Sequence, residues 1–308
     1  MAQPISSAPL PDNRPLDLRP MVVDPDLRIA ARDGFRLAAT LFEPEGARDR
    51  GTAVLINSAT AVRRGYYDAF ARFLANRGFS VVTYDYRGIG GSRPKSLARF
   101  RAGLWEWAEK DQAGAIDWIS QHLRPRRLLA IGHSVGGQIV GMADNNNKVD
   151  ALLAVAAQDG YLGHWPRRAQ PMLALRWYVM APVVSRAFGY LPGWLGIKED
   201  LPGGVAREWA RWCRQPGFLF AGAEERRRGF ERFDRPLLAY SFADDNYAPR
   251  PAVESLLSFY ANAERSHRHV ALREAGAESI GHFGFFRQRF QDSLWREAAD
   301  WLEKQAAP

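Results

Sequence analysis

Short, unbroken apolar runs alternate with amphipathic stretches along most of this chain. Gly51-Thr52-Ala53-Val54-Leu55-Ile56-Asn57, Phe79 to Asp85, Arg127 to Gly132, Ala151 to Ala157 and Pro236 to Phe242 are such runs. Each suits a strand buried on both faces, and His269 to Leu272 predicts one more. Between them, Tyr66–Asn76, Trp105–Gln121, Ser134 to about Ala143 and Pro251–Tyr260 carry apolar residues at helical spacing, and Arg289–Lys304 predicts a closing helix. Gly78 supplies a stop for the first of these. Strands separated by helices imply right-handed crossovers and a mostly parallel sheet. Near the start, 27–30 and 35–42 read as two strands joined by an Asp33-Gly34 turn, an antiparallel edge.

The alternation fails twice. Residues 1–26 are rich in Pro and Asp without clear periodicity, and read as a flexible N-terminal arm. Residues 159–233 hold Trp165, Trp177, Trp194, Trp209 and Trp212 with many arginines, helical patches and no convincing strand. They read as a helical insertion splitting a core made of 27–158 and 234–308. The insertion's aromatics either line an apolar pocket or glue the insertion to the core.

Composition narrows the class. In 308 residues, 46% hydrophobic and 25% charged is ordinary for a soluble globular protein and excludes collagen-like or disordered chains. The formal net charge of +8 raises the question of nucleic acid. The arginines are scattered, however, and the run Arg226-Arg227-Arg228 directly follows Glu224-Glu225. No helix-turn-helix, RNP or zinc-finger pattern accompanies them, so no nucleic-acid partner is expected. The lone cysteine, Cys213, permits no internal disulfide and reads as a packing residue. The N-terminus lacks the basic and apolar regions of a secretory signal, and no stretch approaches the ~20 apolar residues of a membrane span. The expectation is a cytoplasmic protein without an integral membrane segment; its oligomeric state is left open.

Gly132-His133-Ser134-Val135-Gly136 fits G-x-S-x-G between a predicted strand and a predicted helix. That context makes a nucleophile elbow: a tight turn lifts the serine hydroxyl above the sheet, and small neighbours let helix and strand approach. A serine hydroxyl needs a base, and histidine serves near neutral pH. Of six histidines, His133 sits inside the elbow and should point away from the hydroxyl. His122 ends a helix, His164 opens the insertion, and His267 and His269 lie at a late strand. His282 lies in a loop beyond the last predicted strand, where α/β sites are built. A carboxylate must orient that histidine. Either Asp244 or Asp245 could serve; Asp245 is preferred, because the turn toward Pro249 should place it over the sheet. The order Ser134, Asp245, His282 differs from the two main serine-protease orders. One oxyanion donor would be the Val135 N–H. The other belongs to the loop after Asn57, with Ala59 first and Thr60 next. Asp85 and Arg87, in a glycine-rich loop without a P-loop ending, read as braces.

These motifs together resemble the α/β-hydrolase superfamily from about 27 to 304, and within it a bacterial group of predicted hydrolases related to serine esterases and lysophospholipase-like proteins. The carriers are Asp85-Tyr86-Arg87-Gly88-x-Gly, Gly-His-Ser134-x-Gly-Gly, Asp244-Asp245-x-x-Ala-Pro249 and Gly281-His282-Phe283-Gly284-Phe285-Phe286. One departure is Asn57-Ser58, where many relatives carry His-Gly. The resemblance implies an α/β-hydrolase fold, a mostly parallel central sheet flanked by helices, with 159–233 as a helical cap. It implies serine hydrolysis of a small-molecule ester through an acyl-enzyme, without metal or organic cofactor. The same triad also serves thioester, amide or carbon–carbon bond cleavage and acyl transfer. Some chains of this fold only bind ligands or partners, but all three triad members are present here.

Overall fold

A computed structural model describes residues 21–45 and 49–307. The arm expected over 1–20 lies outside these residues. The rest of it is corrected: Met21–Asp24 is a strand, β1, paired antiparallel with the third strand.

The remaining strands are β2 (Arg28–Ala30), β3 (Arg36–Pro44), β4 (Thr52–Asn57), β5 (Ser80–Tyr84), β6 (Arg127–His133), β7 (Ala151–Val155), β8 (Tyr190–Leu191), β9 (Leu201–Pro202), β10 (Leu237–Phe242) and β11 (Arg265–Val270). The helices are α1 (Asp68–Asn76), α2 (Leu104–Glu106), α3 (Ala113–His122), α4 (Val135–Met142), α5 (Gln170–Ala174), α6 (Ala181–Phe188), α7 (Gly203–Cys213), α8 (Arg227–Arg232), α9 (Arg250–Phe259) and α10 (Leu294–Ala306).

One nine-stranded sheet runs in the order β1-β3-β5-β4-β6-β7-β10-β11, with β2 attached to β3. From β5 to β11 every pairing is parallel, and β1, β2 and β3 pair antiparallel. Gly34, at φ 82°, makes the tight link between β2 and β3. The sequence explains the strand order. β4, β7 and β10 are buried at every position, because helices cover both faces of the central strands. β1 alternates half-buried and exposed residues, and β11 is rich in Arg and His, as edge strands are. On one face α1 meets α10, with Phe70 and Phe73 against the buried Trp295. The α2–α3 rod and α4 pack on β4 and β6 from the other. Between α2 and α3 the rod widens into π-helical turns over Trp107–Gln112.

Residues 156–236 leave β7 and return to β10, which pairs directly with β7. This stretch is mainly helical, as expected, but it also holds the small antiparallel pair β8–β9, Tyr190 opposite Pro202. Its last helix, α8, packs on the core: Phe230 meets Phe259 and Tyr260. No helix among the described residues is long and apolar enough to cross a membrane.

Candidate active site

β6 ends at His133, and α4 begins at Val135. Ser134 between them has φ 55° and ψ −118°, a region that side chains other than glycine's rarely adopt. The turn is held by close packing. A Cβ on Gly136 would stand 2.3 Å from the Asn57 carbonyl oxygen, and one on Gly132 would stand 2.5 Å from the Gly137 nitrogen. Only glycine lets β6, β4 and the first turn of α4 come this near. Ser134 is thereby fixed at the N-terminus of α4, where the helix dipole favours negative charge.

Asp245 and His282 come from the loops after β10 and β11. His282 Nδ1 and Asp245 Oδ2 are 2.8 Å apart, both side chains nearly fully buried. Asp245 Oδ1 also accepts the N–H groups of Tyr247 (2.7 Å) and Ala248 (3.0 Å). The neighbouring Asp244 turns the other way. Its carboxylate accepts the N–H groups of Ile280 (2.8 Å) and Gly281 (2.9 Å), and so clamps the histidine loop. The geometry therefore separates the two aspartates: Asp245 bonds the imidazole, and Asp244 holds the loop that carries it. Among the described residues no hydrogen bond joins Ser134 to His282. The Ser134 hydroxyl makes a long contact, 3.4 Å, with Gln158 Oε1.

The loop after β4 differs from expectation. The Ala59 N–H is already committed to the Tyr67 hydroxyl at 2.8 Å, so it is not a free oxyanion donor. The next residue, Thr60, lies on the pocket wall with Ser134 and His282, and no hydrogen bond occupies its N–H among the described residues. Val135, the first residue of α4, likewise has an N–H with no carbonyl one turn back to bond.

Tyr67 was not singled out in the sequence, and it ties the site together. Its hydroxyl accepts from Ala59 and lies 2.9 Å from His133 Nδ1, while His133 Nε2 lies 2.8 Å from the His282 carbonyl oxygen. Since a carbonyl only accepts, His133 carries its proton on Nε2, and its Nδ1 accepts a hydrogen bond from the Tyr67 hydroxyl. Burial holds the His133 imidazole well below its ordinary range, with His282 adding to the effect, so it stays neutral. One relay thus links the loop after β4, the elbow and the histidine loop. Tyr66 adds a second tether, its hydroxyl donating to the Phe283 carbonyl at 2.7 Å.

Asp85 and Arg87 brace the surroundings, as read. The Asp85 carboxylate accepts the Arg64 N–H (2.7 Å), the Arg64 guanidinium (2.6 Å) and the Gly91 N–H (2.9 Å), setting the segment that leads into Tyr67. Arg87 forks onto Asp33 (2.7 and 2.9 Å) and bonds Asp111 in the π-helical turns. The other histidines stand apart from Ser134. His122 stacks on Trp118, His164 pairs with Asp159, and His267 and His269 share the Ser241 hydroxyl. Gln158, three residues beyond β7, was also not singled out. Its carbonyl oxygen accepts from the Gln138 amide at 2.6 Å, fixing its backbone beside Ser134.

Above Ser134 opens a cavity of about 660 Å³. Thr60, Ser134, Gln158 and His282 form its floor. Residues of the 156–236 stretch form its walls, among them Trp165, Met172, Trp177, Met180, Leu191 and Trp209. Trp177 and Trp209 face each other at 5.5 Å. Several of the insertion's aromatics therefore line the cavity, whereas Trp212 is buried against Phe218. Cys213 is buried on the cavity wall, and burial pushes its thiol well above the usual range. Among the described residues no group of three His, Cys, Asp or Glu side chains is placed to hold a metal ion.

A strand-turn-helix serine beneath a cavity, with a buried aspartate–histidine pair beside it, defines the α/β-hydrolase type of site. The model of the alpha/beta hydrolase family matches residues 53–301, and the chain belongs to that family. An uncharacterized protein of Mycobacterium tuberculosis is 31% identical over 121 residues, 38% of this chain and 40% of that protein. The dipeptidyl aminopeptidase BIII of Pseudoxanthomonas mexicana is 31% identical over 137 residues, 40% of this chain but 19% of the peptidase. The matched part thus spans well under half of these curated relatives. Among solved structures, Est1E of Butyrivibrio proteoclasticus, seen with ferulic acid, superposes with a TM-score of 0.59 at 16% identity, covering 92% of this chain and all of Est1E. The Pyrococcus furiosus esterase Pf2001 superposes at 0.58 and 15% identity, covering 93% of this chain and 94% of the esterase. At these identities the likeness is one of fold.

Proposed function

We propose that the chain is a serine hydrolase that cleaves carboxylic esters through an acyl-enzyme. The observation that carries this reading is the strained Ser134 at the mouth of α4, sharing one cavity with a His282 whose Nδ1 is held by Asp245. With Nδ1 so engaged, Nε2 is the nitrogen left to act on Ser134. As substrate enters, the Ser134 side chain leaves Gln158 and gives its proton to His282 Nε2; catalytic hydrogen bonds often tighten only on binding. The oxygen attacks the ester carbonyl carbon, and the N–H groups of Thr60 and Val135 receive the oxyanion. The carbon–alkoxy bond breaks and His282 protonates the departing alcohol. Water, deprotonated by His282, then attacks the acyl-enzyme; the acid leaves and Ser134 regains its proton. Asp245 stabilises the imidazolium throughout. The stretch over 159–233 acts as a cap that shapes an apolar acyl or aryl pocket, and its size suits a small or medium ester.

The test is hydrolysis of 4-nitrophenyl esters, acetate through palmitate, together with fluorophosphonate labelling, by wild type and Ser134→Ala. Hydrolysis and labelling of the wild type, both lost in the variant, support the reading. Absence of labelling in both proteins sinks it and leaves a binding protein of the same fold.

A further inference from the structure

The cavity is apolar, yet two cations stand in its wall. Arg176 comes from the π-helical turns at Leu175–Met180, and Lys198 from the loop between β8 and β9. Among the described residues no aspartate or glutamate lines the cavity. Among the described residues neither cation has an ion-pair partner or hydrogen bond. The acids beside Lys198 are engaged elsewhere. Glu199 pairs with Arg63 and accepts the Gly90 N–H at 2.9 Å. Asp200 pairs with Arg93 at 2.8 Å and accepts the Gly193 N–H at 2.8 Å. Both carboxylates are thereby withdrawn from the cavity, and the two cations are left facing it unneutralised.

The cations sit on one wall. The Arg176 guanidinium comes within 4.0 Å of where a Cβ on Gly196 would stand, two residues before Lys198. The Lys198 ammonium lies 4.9 Å over the Phe283 ring, and that ring meets His282 edge-on at 5.0 Å. A path therefore runs from the reacting centre, past Phe283, to a positive wall of the cap. In a cavity with low-dielectric walls such a field is focused rather than dispersed. A guanidinium fork also matches the paired oxygens of a carboxylate, sulfate or phosphate.

We propose that Arg176 and Lys198 form an anion subsite, and that the substrates are amphiphilic esters: an apolar body, with an anionic oxygen group at the end remote from the scissile carbonyl. This rests on the ester-hydrolase reading for its chemistry, though not for its binding. Arg176, half-buried, carries most of the recognition. Lys198, exposed, contributes less because solvent and salt screen it.

Two matched ester pairs test it in activity: 4-nitrophenyl hexanoate against mono-4-nitrophenyl adipate, and 4-tolyl acetate against 4-acetoxybenzoate. The pairs place the anion on the acyl and alcohol sides respectively. In wild type, one pair at least should favour its anionic member in kcat/KM by about tenfold, as a charge-assisted contact at a part-exposed site does. Arg176→Gln should erase most of that ratio, and Lys198→Gln about threefold of it. A binding test needs no turnover: tryptophan fluorescence of Ser134→Ala titrated with octyl sulfate or 1-octanol, with and without Arg176→Gln. Octyl sulfate should bind more tightly, and the difference should collapse when Arg176 is replaced. Equal binding of the two amphiphiles, or a difference that Arg176→Gln and Lys198→Gln leave intact, overturns the subsite. Neutral esters cleaved as well as anionic ones would overturn it while leaving the hydrolase reading standing. An unlabelled Ser134 with tight, Arg176-dependent octyl sulfate binding would do the reverse.

Discussion

Removing one oxygen atom, by Tyr67→Phe, probes the frame of the site. The Tyr67 side chain is fully buried, and its hydroxyl makes two bonds, to the Ala59 N–H at 2.8 Å and to His133 Nδ1 at 2.9 Å. Phenylalanine keeps the ring contacts with Phe286 at 4.8 Å and Tyr66 at 5.4 Å. It leaves a buried N–H and a buried imidazole nitrogen without partners. Each orphaned group costs about 1–3 kcal/mol, and the desolvation of the lost hydroxyl is recovered, so a net loss of roughly 2–5 kcal/mol is expected. Urea unfolding followed by tryptophan fluorescence reads this as a fall in midpoint at constant slope. The loop carrying Thr60 loses its tie to the elbow at the same time, and kcat/KM should fall by roughly 10- to 100-fold, as small misplacements of reacting groups do. A stability loss below about 1 kcal/mol would refute the reasoning, since it would mean that His133 and Ala59 are satisfied without the hydroxyl.

Asp245→Asn should lower kcat by roughly 10⁴-fold with little change in folding, because an amide favours the wrong imidazole tautomer. Asp244→Asn, one position away, should act through loop order, costing roughly tenfold in kcat/KM and loosening hydrogen exchange at Ile280 and Gly281; equal losses from both would contradict their separate roles. Gly136→Ala drives a Cβ to 2.3 Å from the Asn57 carbonyl and should cost about 3 kcal/mol or more in denaturant midpoint, the upper end of overpacking; a neutral effect would mean that the elbow is looser than described. Burial depresses the pKa of His133, His267 and His269 in the fold. The unfolded chain therefore binds more protons below pH ~6.5, so stability should be full above that pH and fall as pH drops below it, by up to ~1.4 kcal/mol per pH unit per histidine. Urea midpoints that stay flat from neutral to mildly acidic pH would count against it.

What could be read in the sequence is what depends on neighbours along the chain. The elbow at Ser134 is local: a strand, a turn that needs glycines, and a helix. His282 and Asp245 follow from one rule, that loops at strand C-terminal ends build the site. The same rule applied to Ala157-Gln158-Asp159 after β7 would have found Gln158. Ala59 failed as a donor because its N–H is taken by a hydroxyl that returns from eight residues downstream, which no pattern encodes. Met21–Asp24 was hidden as a strand by prolines at 20 and 25, and β8 and β9, two residues each, are too short to show a period. The π-helical turns at Trp107–Gln112 keep a helical composition, so their wider winding leaves no mark.

The chain departs the sheet at Val155 and rejoins it at Leu237, and the two strands concerned lie side by side with Leu152 opposite Leu237. Whatever is threaded between them, the hydrogen-bonded ladder closes at the same place, and loop-closure cost grows only slowly with length. Most of the cavity lining, Arg176 and Trp177 included, is encoded in that one detour, whereas Ser134, Asp245 and His282 are encoded outside it. On the proposed function, a graft of a different 159–236 stretch, which keeps Gln158 beside Ser134, would change what is accepted while leaving Ser134, Asp245 and His282 in place. On that function, selectivity and reactivity would be carried by separate stretches of one chain.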